Sequence, residues 1–131
     1  MFRPTILIAE QEPNEALSVR KLVVQTAKFN VVSAYTAKEA KELLDKFPNF
    51  QAAVVVSDLE DCEKVASAAK ATNPSMPVIV LSPNPSYRCG NADHRISSHE
   101  PEELVNLLRS LFGDPRDLSG NLDVTPEALL A

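Results

Sequence analysis

Short runs that are apolar on both faces recur along the chain, separated by stretches in which apolar residues return every three or four positions. Thr5-Ile6-Leu7-Ile8-Ala9, Ala52-Ala53-Val54-Val55-Val56 and Pro77-Val78-Ile79-Val80-Leu81 are five-residue runs of this kind, and Asn30 to Tyr35 carries the shorter pair Val31-Val32. Such runs are too short for buried helices, and a strand with no polar face needs cover on both sides, as in a parallel sheet. Between the runs, Ala16, Val19, Leu22, Val23 and Thr26 form a helical stripe that continues to Lys28. Ala40, Leu43, Leu44 and Phe47 form a second, expected to face inward. Cys62, Val65, Ala66 and Ala69 mark a third within Glu60 to Thr72, and Leu104, Leu107, Leu108 and Leu111 a fourth.

The punctuation agrees with this reading. Pro13 and Asn14 break the chain after the first run, and Thr36 with Glu39 has the spacing of a capping box, in which hydroxyl and carboxylate satisfy the first free amides of a helix. Pro48 and Asn73-Pro74 stop the second and third helices, while Pro101 opens the fourth and Gly113 closes it. Alternation of strand and helix predicts right-handed β-α-β units, hence one parallel sheet with helices on both faces, a three-layer α/β sandwich. Its expected core is Ile6, Ile8, Val54, Val55, Val56, Ile79 and Leu81. Arg95-Ile96-Ser97 is expected as a fifth strand at an edge. Pro83, Pro85 and Gly90 interrupt the link before it, so the crossover helix there is expected to be shortened or lost. The domain is expected to span residues 1–113. Residues 114–131 read as a polar, turn-rich tail or linker, with Thr125-Pro126-Glu127 placed to open one short terminal helix.

Composition narrows the function. The chain has 131 residues, room for one domain, and a net charge of -5 without a basic cluster, so nucleic acid is not expected as a direct partner. No apolar stretch approaches the roughly 20 residues that cross a bilayer, and the first apolar run is too short for a signal peptide; no membrane association and a cytoplasmic location are expected. Cys62 and Cys89 lack CxxC spacing, and neither His94 nor His99 groups with them as zinc ligands would, so both are read as reduced structural thiols. Three glycines, Gly90, Gly113 and Gly120, cannot make a glycine-rich phosphate loop.

In an open α/β sheet, chemistry gathers beyond the carboxyl ends of the strands. Those ends supply Glu10, Gln11 and Glu12 after the first run, Ser57 and Asp58 after the third, and Ser82 after the fourth. Here the sequence resembles the response-regulator receiver family, the CheY-like domains of two-component signalling, over about residues 4–112. ILIAEQEPN at 6–14 is similar to that family's first strand and acidic turn, VVSAYTAKEAKELL at 31–44 to its second strand and helix, and MPVIVLSP at 76–83 to its fourth strand with the switch hydroxyl. The resemblance implies a doubly wound, flavodoxin-like sheet of order 2-1-3-4-5. It also implies a site in which acidic residues hold Mg²⁺, an Asp accepts a phosphoryl group, and a hydroxyl and a lysine follow the fourth and fifth strands.

Measured against that set, the chain departs. Glu10 matches one metal-binding acid and Glu12 a lesser one, with Asp58 the third metal candidate, but Gln11 is neutral where an Asp is usual, so any Mg²⁺ binding is expected to be weak. Ser82 matches the switch hydroxyl, whereas Ser97-Ser98-His99 stands where a lysine belongs. Asp58 with Leu59 resembles the phosphoacceptor and its apolar neighbour, yet an ungapped count from Phe50-Gln51 lands on Val56. Asp58 reads equally well as a helix cap. These departures point to a degenerate receiver with no enzymatic activity and no required cofactor, working by phosphorylation-independent binding of a histidine kinase or other signalling protein. The partner surface would be Tyr87, Arg88, His94, Arg95, Glu102, Asn106 and Arg109, on a monomer or weak homodimer. The alternatives are a receiver phosphorylated on Asp58 and a small-molecule module on the same fold.

Overall fold

A computed structural model describes residues 4–11, 19–47, 49–84, 90–98 and 100–113. Within them the chain runs β1 (Thr5–Ala9), α1 (Val19–Thr26), β2 (Asn30–Ala34), α2 (Ala37–Lys46), β3 (Ala52–Val56), α3 (Cys62–Thr72), β4 (Val78–Ser82), β5 (His94–Ser97) and α4 (Pro101–Phe112). All neighbouring strands pair in parallel, in the order β2-β1-β3-β4-β5. This is the parallel three-layer α/β sandwich that the alternating pattern predicts, in the doubly wound, flavodoxin-like order that the resemblance implies, and among the described residues no helix separates β4 from β5.

Strand alternation sorts the core into two layers. Leu7, Ala9, Ala53, Val55 and Val78 face α2 and α3, where Ala40, Leu44, Val65, Ala66 and Ala69 meet them. Ile6, Ile8, Val54, Val56, Ile79 and Leu81 face the opposite way, against Val24 of α1 and Leu104, Val105 and Leu108 of α4. Every residue of β3 and β4 is buried, so all seven expected core positions lie inside.

The helices begin and end as local chemistry dictates. Thr36 Oγ1 accepts from the Glu39 N–H at 3.0 Å while Glu39 Oε1 accepts from the Tyr35 N–H at 2.7 Å, closing both arms of the cap. α1 stops after Thr26 because Lys28 takes a left-handed φ of 74°. α3 starts at Cys62 rather than Glu60, since Asp61 sits at φ 62° and a left-handed residue cannot continue into an α-helix from its own position. Cys62 is buried and joins no disulfide among the described residues; Cys89 lies outside the described residues.

Two stripe positions differ from expectation. Phe47 is 57% exposed and Leu111 37%. Phe47 is the C-cap of α2, with φ −129° and ψ 77°, so its side chain leaves the helical stripe one residue too early to reach the sheet. In α4 the inward face is Leu104, Val105 and Leu108, which turns Leu111 outward.

The described residues just before β5 are fastened to α3 and β4 by side chains. Asp93 Oδ2 accepts from the Val78 N–H at 2.8 Å and pairs with Lys70, whose Nζ also donates to the Met76 carbonyl at 2.9 Å. Asn91 Nδ2 donates to Ser67 Oγ at 2.9 Å. One face of α3 is thereby tied to the segment that precedes β5. Partial burial disfavours the charged Asp93, but the Lys70 and Val78 hydrogen bonds and the charges of Lys70 and His94 outweigh it and hold its carboxyl below the ordinary 3.8.

Val55→Asp is expected to abolish folding, because burying an unpaired carboxylate costs several kcal/mol against a total margin of about 5–15 kcal/mol; circular dichroism of the variant checks it. Asp93 contributes stability that is complete above its unfolded-state value and is lost as pH falls through its lower folded value. Asp93→Asn is therefore expected to lower the melting temperature at pH 7 and to narrow its gap from the unsubstituted chain as pH drops below about 4, read by thermal melts across pH.

Candidate functional site

Parallel strands all end on the same side of the sheet, and the residues just beyond β1, β3 and β4 converge there. Glu10 follows β1 directly; its N–H donates to the Ala34 carbonyl at 3.0 Å, which extends the β1–β2 ladder by one step and holds the residue at 1% exposure. Gln11 is exposed, and its N–H points at Asp58 Oδ1, 3.5 Å away. Ser82, the last residue of β4, is buried; its Oγ accepts from the Asn84 N–H at 3.1 Å and its carbonyl from the Ser98 N–H at 3.2 Å. The sequence-predicted Glu10, Gln11, Asp58 and Ser82 thus share one end of the sheet. Glu12 lies outside the described residues.

The end of β3 separates the two placements of the acceptor. Val56 is the terminal strand residue, in register with Leu81, 1% exposed and packed in the layer that faces α1 and α4. The Ser57 N–H still bonds the Leu81 carbonyl at 2.8 Å, but the Leu59 N–H then donates to the Val56 carbonyl at 3.0 Å and closes a turn. Strand alternation therefore stops before Asp58, which stands exposed in that turn. Nor is Asp58 the cap of α3; that position belongs to Asp61, which makes no side-chain capping bond.

Among the described residues, no three His, Cys, Asp or Glu side chains come together closely enough to hold a metal ion. Glu10 is enclosed and Asp58 solvated, with the neutral Gln11 between the two strand ends, so the described residues do not fit an octahedral Mg²⁺ site. After β5 come Ser98 and Glu100, with His99 outside the described residues, and no lysine.

The expected partner surface divides into two. Glu102, Asn106 and Arg109 project from α4 into a groove of about 390 Å³ shared with Val23, Thr26 and Ala27 of α1. The α1 side of this groove was not visible in the sequence, because nothing in a linear stripe says which helices become neighbours. On β5, His94 pairs with Ile79 and Arg95 with Val80, so the two point to opposite faces of the sheet. Tyr87 and Arg88 lie outside the described residues. At the start of α4, a side-chain hydrogen bond that the protonated Glu103 carboxyl donates to Glu100 raises it above its ordinary value, helped by desolvation and by the like charge.

No protein-family model and no curated protein sequence matches the chain. Solved structures do. A CheY-like receiver domain protein from Methanospirillum hungatei JF-1 superposes with a TM-score of 0.72 at 20% identity, covering 88% of this chain and 99% of that one. The receiver domain of a sensor histidine kinase from Pseudomonas aeruginosa PAO1, with magnesium coordinated in its active-site cleft, gives 0.73 at 16%, covering 86% and 99%. The response regulator TrrA from Thermotoga maritima, in complex with Mg²⁺ and BeF, gives 0.69 at 20%, covering 83% and 99%. The fold is that of a response-regulator receiver domain. At such identities the likeness carries the fold, and what this receiver-like domain does rests on its own residues.

Titration of the receiver-like domain with Mg²⁺ is expected to give no saturable submillimolar binding by isothermal calorimetry. A submillimolar site that vanishes in Asp58→Asn would reverse that expectation.

Proposed function

We propose that the chain is a pseudo-receiver, a signalling module that binds a protein partner without being phosphorylated. The observation that carries this reading is Val56. It occupies the last position of β3, where the ungapped resemblance puts the acceptor, and it is a buried hydrocarbon with no group to phosphorylate. Asp58 is two residues further on, exposed, and joined to the β1 end only through the Gln11 N–H at 3.5 Å, a weak hydrogen bond by distance. Two cations that offset phosphoryl charge in a receiver, the metal and the lysine, find no fitting set among the described residues.

Losing the acceptor also uncouples the switch. In a two-state receiver a local charge biases a surface at a distance. Here the hydroxyl survives as Ser82, but it already accepts from the Asn84 N–H and is enclosed at 4% exposure. The described residues that lead into β5 are pinned by Asp93 and Asn91. A surface held in one state recognises its partner constitutively. The α1–α4 groove with Glu102, Asn106 and Arg109 is the recognition face we assign, and a cytoplasmic signalling protein the partner class. No described helix is long and apolar enough to cross a membrane.

The phosphoacceptor reading retains one support, the approach of Asp58 to the Glu10-Gln11 turn. Incubation with acetyl phosphate followed by intact-mass spectrometry and amide NMR decides between the two. The pseudo-receiver is expected to gain no stable phosphoryl group, and partner binding is expected to survive Asp58→Ala within about twofold while Arg109→Glu weakens it by about tenfold or more. Stable modification of Asp58 with resonance shifts across residues 82–112 would overturn the reading.

A further inference from the structure

The end of the sheet opposite the acidic turn carries the unusual surface. Both large apolar side chains that the described residues expose, Phe47 and Leu111, lie there. Phe47 caps α2 shortly before β3 begins, and Leu111 is in the last turn of α4. Beside Leu111 an open groove of about 610 Å³ runs along the starts of β3 and β4, floored by Phe50, Met76, Pro77 and Phe112. Asn49 and Asn73 stand on its rim, and among the described residues no charged side chain lines it.

The chain leaves α4 at the wall of this groove. Gly113 takes φ 83° and ψ 170°, and its N–H caps the helix on the Arg109 carbonyl at 2.8 Å. That conformation is open to glycine and strained for other residues, and it turns the backbone off the helix axis. A Cβ there would meet nothing within 4 Å, so the glycine serves the direction of the chain and not a close approach. Residues 114–131 follow, outside the described residues, and reach up to about 60 Å when fully extended, several times what the groove requires. Their last stretch, Thr125-Pro126-Glu127-Ala128-Leu129-Leu130-Ala131, opens with helix-starting residues and carries an apolar pair.

We propose that the C-terminal segment folds back on its own domain and lays Leu129 and Leu130 into the groove between Phe50, Met76 and Leu111. Three observations combine in its favour. The segment starts at the groove, it carries an apolar pair to cover the groove's apolar floor, and its acidic residues Asp114, Asp117, Asp123 and Glu127 meet no acidic side chain among the described lining residues. The docked segment lies at the far end of the strands from Glu10, Val56 and Ser82, so this contact is independent of the pseudo-receiver reading. It covers one end of the domain and leaves the α1–α4 groove open.

The test compares the full chain with the full-length double variant Leu129→Asp/Leu130→Asp by amide NMR and hydrogen exchange. Docking predicts shifts at residues 49–51, 73–77 and 110–113, with exchange there faster by about tenfold, although the substitutions lie in the tail. Leu111→Asp, at a position already 37% exposed and so compatible with folding, is expected to shift the resonances of 114–131 in return. Changes confined to the substituted segment in both experiments would overturn the proposal. Sedimentation equilibrium separates the other occupant: a monomer at all concentrations supports docking of the tail, whereas a dimer lost in Leu111→Asp and kept in the double variant would assign the groove to a second copy and overturn it.

Discussion

The fold depends on the burial of β3 and β4 throughout, and of β1 from Ile6 onward, on both faces. A strand such as Ala52–Val56 has no side to turn to water, so each of its faces must find a helix. Right-handed crossovers then place successive helices on one side or the other, and the two packed layers, Leu7 to Val55 against α2 and α3 and Ile8 to Leu81 against α1 and α4, result. Short runs suffice because every residue in them removes apolar surface from water, worth about 25 cal/mol per Å². The same geometry brings the carboxyl ends of β1, β3 and β4 together, which is why Glu10, Val56 and Ser82 are neighbours at all.

At that shared edge, Val56 and Asp58 meet different surroundings. Val56 continues the hydrocarbon layer up to the rim of the sheet, while Asp58 stands exposed in the turn closed by Leu59 and Val56. Glu10 and Asp58 consequently live in different media, one enclosed and one in water. A shared cation needs its anionic ligands in one cage, and opposite solvation works against that. Gln11 fits the arrangement: its backbone N–H reaches toward Asp58, and its side chain adds no charge to the turn.

Much of the fold was legible because burial writes itself into the sequence with period two or with no polar face at all. The five strands and the Thr36–Glu39 cap both follow from local chemistry. Boundaries failed where one residue's backbone overrode the stripe: Asp61 in the left-handed region moved the start of α3, and the extended Phe47 escaped the core. The placement of Glu10, Asp58 and Ser82 at strand ends was legible, but where strand geometry gives way to a turn between Val56 and Leu59 was not. That is decided by the Ser57 and Leu59 backbone bonds, which no side-chain pattern encodes. The latch of Lys70, Asp93 and Val78 was invisible for a different reason, since it joins residues far apart whose types are ordinary surface polars.

That latch gives the domain an uneven mechanical profile. β1, β3 and β4 are locked from above and below by helices that cannot leave without exposing hydrocarbon, so pulling on them means unfolding everything. β5 has four residues, one strand neighbour and a lead-in fixed by two side-chain contacts on α3. Under tension applied through α4, the β4–β5 seam would open together with the helix, and loss of α4 would uncover the layer of Ile6, Ile8, Val54, Ile79 and Leu81. The chain therefore carries its weak seam on the side from which any covalently attached neighbour beyond α4 would load it.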